Sequence, residues 1–248
     1  MNKFKVAVLL GGLLSANLAQ ASLMSAGSGL VYDNVANVTW SSDANLFATM
    51  QASTPGLVAN IIAMVPVVMD TPNAYDTPSN SGHYNLSSSD FGLGYMDWWG
   101  GMAFMGYLNS MNGGTGYLGH STWELPTTYD QSCNGYCTNS MLGELFYTGL
   151  GGVAGTSIAT THNASYNLFT NIQNNYYWSG TEYAPNPGAP WEFDTALGYQ
   201  SAFNKYGNFY SWAVLPGNAG AVPEPADLAL FGIGLAGLMA GRRRPSFG

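Results

Sequence analysis

The segment YYWSGTEYAPNPGAPWEFDTALGYQSAFNKYGNFYSWAVLPG, residues 176–217, decides the fold of this chain. Aromatic and β-branched residues recur in it in short runs separated by glycine, proline and asparagine, a pattern that is typical of a strand meander. The four predicted strands cover residues 176–179, 191–195, 199–203 and 209–215. Residues 185–190, between the first two, are predicted to be a proline-rich loop.

Upstream of this segment the apolar residues follow helical spacing. The predicted helices are the part of the apolar run 56–69 that precedes Pro66, residues 98 to about 111 after an Asp97 cap, and residues 140 to about 150. Proline ends the first helix because it cannot donate to the helical ladder. Asn112, Gly113 and Gly114 stop the second.

The remaining upstream residues predict a hairpin of two short strands, 29–33 and 38–40, and a loop rich in Thr, Pro, Asn and Ser over residues 70–90. Helices that come first and strands that come last indicate an α+β domain. Residues 22–221 are long enough for one such domain with a single antiparallel sheet and short helices.

Charge is distributed unevenly along the chain. Five of the six basic residues lie at the two ends, so the body between Ser22 and Ala221 holds twelve carboxylates, one base (Lys205) and a formal charge of −11. Nucleic-acid binding needs clustered Lys and Arg, and the same need disfavours sulfated glycans and anionic lipid. The abundant Asn, Ser, Thr and Gly residues favour an exported protein whose surface is solvated by neutral polar groups.

The N-terminal residues 1–21 are predicted to be a secretory signal peptide. Lys3 and Lys5 precede an apolar stretch, and Ala19-Gln20-Ala21 forms a small-residue cleavage site. The stretch is too short to span a bilayer comfortably. The protein is therefore expected to cross the inner membrane.

The C-terminal residues 222–248 combine three features, which are the motif Val222-Pro223-Glu224-Pro225, an apolar stretch over residues 228–240, and the cluster Arg242-Arg243-Arg244. Together they resemble the PEP-CTERM sorting signal. The resemblance implies recognition and cleavage by an exosortase after transient anchoring through a C-terminal transmembrane helix. It further implies a Gram-negative bacterium, with the body in the envelope, on the surface or in a biofilm matrix. A simple tail anchor is the alternative.

A second resemblance rests on an ordered series of motifs in the body. They are Trp123-Glu124-Leu125-Pro126-Thr127, Gly143-Glu144-Leu145-Phe146-Tyr147, Tyr177-Trp178-Ser179-Gly180-Thr181-Glu182, Trp191-Glu192-Phe193 and Trp212-Ala213-Val214-Leu215-Pro216-Gly217. The series is similar to the DUF1566, or Lcl C-terminal, family. It implies a C-type lectin-like or formylglycine-generating-enzyme-like fold. Glu124 and Leu215 stand where that family has arginine, so its binding of sulfated polysaccharide is not expected here.

The two cysteines, Cys133 and Cys137, are predicted to form a structural disulfide, because exported proteins mature in an oxidising compartment. A redox pair or a metal site is the alternative. The scattered histidines lack zinc-site spacing, and no serine-hydrolase elbow is present. No catalytic residue, established metal site or cofactor follows from the sequence.

Acidic and aromatic residues near residues 185–190 supply the candidate binding groups. Calcium prefers oxygen ligands, and the candidate calcium ligands are Glu182, Asn186, Glu192 and Asp194. Glu182 with Glu192 or Asp194 could instead serve as a glycosidase carboxylate pair. Tyr183 and Trp191 are the candidate glycan-binding rings, with core packing as the alternative.

The sequence thus predicts a non-enzymatic envelope or biofilm-matrix protein that binds neutral extracellular polysaccharide. A structural matrix component without a specific ligand is the first alternative. A secreted glycan-active enzyme is the second.

Overall fold

The computed structural model describes residues 23–220. The predicted signal peptide and the sorting tail lie outside them. The helices are α1 (Leu46–Ser53), α2 (Leu57–Met64), α3 (Trp98–Gly114) and α4 (Met141–Glu144), and α4 continues into a π-helical turn over Leu145–Gly149. Shorter 3₁₀ turns cover Ser88–Asp90 and Ala164–Leu168. Within the described range, no helix is long and apolar enough to cross a membrane.

Nine strands form three antiparallel sheets in the described residues. They are β1 (Leu23–Ser25), β2 (Leu30–Asp33), β3 (Val38–Ser41), β4 (Val67–Met69), β5 (His83–Asn85), β6 (Tyr176–Tyr183), β7 (Asn186–Asp194), β8 (Tyr199–Ala202) and β9 (Val214–Pro216). The sheet orders are β1-β2-β3-β9, β4-β5 and β6-β7-β8. The α+β class with short helices and antiparallel pairing is therefore confirmed.

The helix starts follow from local chemistry. The Asp97 carboxylate accepts a hydrogen bond from the Gly100 N–H at 2.8 Å and caps α3 as predicted. Ser140 caps α4 in the same way through Gly143 N–H at 3.0 Å. Helical geometry in α3 is lost from Met111, whose ψ is 158°, and Asn112 follows with a φ of 54°. The predicted ends at Pro66 and at Asn112 are confirmed.

Three strand predictions need correction. Residues 186–190 are not a loop but the first part of β7, and pairing of β6 with β7 is irregular between Trp178 and Tyr183, where β7 carries prolines. Residues 83–85, expected in a loop, pair with the apolar residues 67–69. The predicted strand 209–215 is strand only from Val214, and it joins β3 rather than the meander.

Two hydrophobic cores are present in residues 23–220. One is built mainly from α1, α2 and α3 together with Trp178, and the other joins the β2-β3 hairpin and α4 to Tyr177 and Phe193. Tyr177 and Trp178 are neighbours in β6, and successive strand residues point to opposite faces. The β6-β7-β8 sheet therefore lies between the two cores and contributes side chains to both.

Candidate functional site

Both candidate glycan-binding rings line one cavity of about 310 Å³, which we call the Trp191 cavity. Its lining consists of Gln131, Ser132, Asn134, Tyr183, Asn186, Ala189, Trp191 and Ala202. The two rings meet edge to face with centroids 5.3 Å apart. Tyr183 is partly exposed, whereas Trp191 is only 2% exposed. Tyr183 therefore offers the ring surface for stacking, and Trp191 forms the floor.

The wall opposite the rings is the segment that carries the two cysteines. Cys133 and Cys137 form a disulfide in the structure. Gly135 and Gln200 exchange backbone hydrogen bonds of 2.9 and 2.7 Å, and the Gln200 side-chain N–H donates to the Cys133 carbonyl at 3.0 Å. The Ala184 N–H donates to Gln131 Oε1 at 2.9 Å. The wall is thus fixed to β8 and to the β6-β7 turn.

The chemistry of the Trp191 cavity is neutral and polar. Amide and hydroxyl groups line it without a single charged side chain. Trp191 Nε1 is buried and has no hydrogen-bond partner among the described residues. A buried N–H without a partner costs free energy of about 1–3 kcal/mol, so a water or a ligand acceptor stabilises it. Amides, a hydroxyl and an exposed aromatic face together suit a molecule rich in hydroxyl groups.

Glu182, a candidate calcium ligand, is bound by a cation of the chain itself. Lys205 Nζ lies 2.5 Å from a carboxylate oxygen of Glu182 and 2.5 Å from one of Asp70. The same ammonium lies 4.3 Å from the Trp98 ring centroid, and the Lys205 side chain is fully buried. Trp99 Nε1–H also donates to Asp70 at 2.8 Å. We call Lys205, Asp70 and Glu182 the Lys205 triad.

Glu192 and Asp194, the other two acids of the proposed calcium set, are buried and form hydrogen bonds with nearby groups of the chain. Glu192 bonds the Ser201 hydroxyl, and Asp194 accepts the Ala196 N–H at 2.8 Å. Burial raises the pKa of Glu192 to about 8 and also raises that of Asp194. Neither lines the Trp191 cavity. Among residues 23–220, no three His, Cys, Asp or Glu side chains are grouped to hold a metal, so the four candidates do not converge.

A second cavity of about 330 Å³, the Trp123 cavity, holds the glutamate of the first body motif. Its lining is Met102, Met105, Gly106, Asn109, Trp123, Glu124, Leu125, Thr127, Gly180 and Thr181. Partial desolvation of the Glu124 carboxylate raises its pKa. Leu215, the other departure from the family pattern, is 1% exposed and packs in the core.

Sequence reasoning missed two charged arrangements. The Lys205 triad joins residues far apart in sequence, and only the isolation of Lys205 as the sole base of the body could have drawn attention to it. The second is the carboxyl pair Asp33 and Glu144, in which burial and the neighbouring Asp33 raise the pKa of Glu144 to about 9. The sequence feature that could have indicated this buried pair is the position of Glu144 beside the apolar stripe of α4.

The C-terminal end of the chain matches a known bacterial sorting signal. That signal is the PEP-CTERM protein-sorting motif, which matches residues 221–244. The match includes Val222 to Pro225 and Arg242 to Arg244, and it implies exosortase processing and a place in the cell envelope. No curated protein and no solved structure matches the chain.

Proposed function

We propose that the body of this exosortase-sorted protein is a non-enzymatic binder of neutral extracellular polysaccharide, and that the Trp191 cavity is its binding site. The observation that carries the proposal is the neutral polar lining of that cavity, which includes a partly exposed tyrosine and a tryptophan whose buried indole N–H has no partner among the described residues. Sugar rings present apolar faces to aromatic rings and hydroxyls to amides.

The proposal includes the absence of catalysis. Glu182, which would be one half of a glycosidase pair, is neutralised by Lys205 at 2.5 Å. Glu192 is 2% exposed and holds the Ser201 hydroxyl, so it is not open to a substrate. A general acid and its partner must both reach the scissile bond. These contacts favour binding over glycan cleavage.

We further propose that the body is DUF1566-like and C-type lectin-like. Support comes from motifs that are distant in sequence and adjacent in space. Glu124 and Val214 exchange backbone hydrogen bonds of 2.9 and 3.0 Å, and the Gly180 N–H donates to the Pro126 carbonyl at 2.9 Å. The first, third and last motifs thus form one hydrogen-bonded seam. Placement in a biofilm matrix of a Gram-negative bacterium is part of the same proposal.

Binding of the exported protein to dextran and to the host's own extracellular polysaccharide tests the proposal. Tyr183→Ala should weaken binding about two- to tenfold, because an aromatic contact contributes about 0.5–1.5 kcal/mol. Tyr95→Ala is the matched control, since Tyr95 is 36% exposed and lies outside the linings of both cavities described above. Equal effects of the two variants would contradict the assignment of the site. No saturable binding at all would favour a structural matrix component.

A further inference from the structure

The Trp123 cavity carries a negative charge that nothing in the body neutralises. Glu124 lies at its rim, held there by the backbone pairing with Val214 and by its buried neighbours Trp123 and Leu125. Within residues 23–220 the Glu124 carboxylate forms no ion pair, and burial alone accounts for the shift of its pKa. The only base of the body, Lys205, is fully buried and bound to Asp70 and Glu182.

Lys205 therefore supplies no cation to this cavity, and the other Lys and Arg residues belong to the signal peptide and the sorting tail. Met102, Met105 and Trp123 form apolar walls beside the carboxylate. Glu124 itself is exposed, so a cation in the solvent can reach its carboxylate. The cavity thus combines apolar walls with one uncompensated carboxylate, which suits a cation carried on a ring.

The Trp123 and Trp191 cavities lie along one seam between β6 and the segment 123–131. Thr128 N–H donates to Thr181 Oγ1 at 3.0 Å, and Ala184 N–H donates to Gln131 Oε1 at 2.9 Å. Thr181 lines the first cavity and Tyr183 lines the second. Two residues of strand span about 7 Å, so one chain of several sugar rings can contact both cavities.

We infer that the Trp123 cavity is a second subsite for the same glycan chain, and that it takes a sugar unit bearing a protonated amine, which pairs with Glu124. The inference rests on the proposed function and narrows its ligand class to polysaccharides with free amino sugars among neutral units. The amine is inferred because its positive charge complements the Glu124 carboxylate. A sugar chain is inferred, rather than an isolated cation, because the two cavities lie along one continuous seam.

The test compares two probes at pH 6, a (1→4)-linked glucosamine hexamer and its fully N-acetylated counterpart, on the exported protein. The amine form should bind more tightly, and added salt should weaken it because screening reduces charge attraction. Glu124→Gln should weaken the amine hexamer roughly tenfold and weaken the acetylated hexamer far less, because only the amine loses a charge-assisted contact. Asp43→Asn, which removes the same charge outside the linings of both cavities, is the matched control.

The possible results separate this inference from the proposed function. Equal losses in Glu124→Gln and Asp43→Asn, or no preference for the amine, overturn the amino-sugar subsite. If the acetylated hexamer still binds and depends on Tyr183, the proposed function survives that result. Binding of neither hexamer overturns the amino-sugar subsite, and the dextran experiment then decides the proposed function separately. Selective loss of the amine hexamer in Glu124→Gln supports the subsite.

Discussion

Removing the ammonium of Lys205 should destabilise the body strongly. Lys205→Met keeps the buried aliphatic stem and deletes the charge, so packing against Trp98 is largely retained. Asp70, whose side chain is fully buried, then keeps its hydrogen bonds from Trp99 at 2.8 Å and Asn73 at 3.1 Å but loses its counter-charge. Removing one partner of a buried ion pair costs about 3–5 kcal/mol.

The expected change in melting temperature follows from the size of the body. An unfolding entropy of about 2.1 cal/mol/K per residue gives about 0.4 kcal/mol/K for roughly 200 residues. The Lys205→Met variant should therefore melt about 7–12 °C lower than the parent. The measurement is thermal unfolding followed by near-UV circular dichroism, with urea unfolding to obtain the free energy.

A compensated variant separates the charge from the shape of the site. Adding Asp70→Asn and Glu182→Gln to Lys205→Met removes both acids that the ammonium served, so much of the lost stability should return. The reasoning is refuted if Lys205→Met alone loses less than about 1 kcal/mol, the scale of an exposed ion pair. It is equally refuted if the triple variant is less stable than the single one.

Further predictions concern pH, the disulfide and the tail. Burial raises the folded-state pKa of Asp97 and of Glu192 to about 8, above the unfolded values. The free energy of unfolding should therefore fall as the pH rises from about 5 to 8, by at most about 1.4 kcal/mol per pH unit for each group. Glu192→Gln should flatten the dependence of melting temperature on pH, and a melting temperature that rises over this range would contradict the predicted sign. Replacing Cys133 and Cys137 by serine should cost about 2 kcal/mol for so short a loop and weaken binding of dextran at the Trp191 cavity, whereas unchanged binding would show that the wall needs no covalent tie. Mass spectrometry of protein released from cells should lack Arg242 to Arg244, and their presence would refute exosortase cleavage.

The parts of the fold that sequence could predict are those governed by neighbours along the chain. The caps of α3 and α4 need only a polar side chain three residues before a backbone N–H, and both are found at Asp97 and Ser140. The helix end at Pro66 and the α+β class follow from equally local patterns. Such features depend little on the rest of the fold.

The wrong strand predictions concern residues whose structure depends on segments that are distant in sequence. Phe209 to Leu215 has a strand composition, but its last residues pair with β3, about 175 residues earlier, and the remainder makes single bridges to Met96 and Tyr177. Prolines 187 and 190 suggested a loop, but irregular pairing accommodates them in β7. Nothing in a local window encodes which edge a strand will meet.

For the candidate site, too, the sequence indicated some features and could not indicate others. The sequence singled out Tyr183 and Trp191 as candidate glycan-binding rings, and the structure places both in the lining of one cavity. Their roles could not be assigned from sequence, because the cavity they line is completed by Gln131, Ser132 and Asn134, which precede Trp191 by more than fifty residues. Once buried, an indole contributes its N–H more than its face. The proposed stacking is therefore assigned to Tyr183, the more exposed of the two rings, and part of the cavity lining comes from the segment around the disulfide rather than from the aromatic strands.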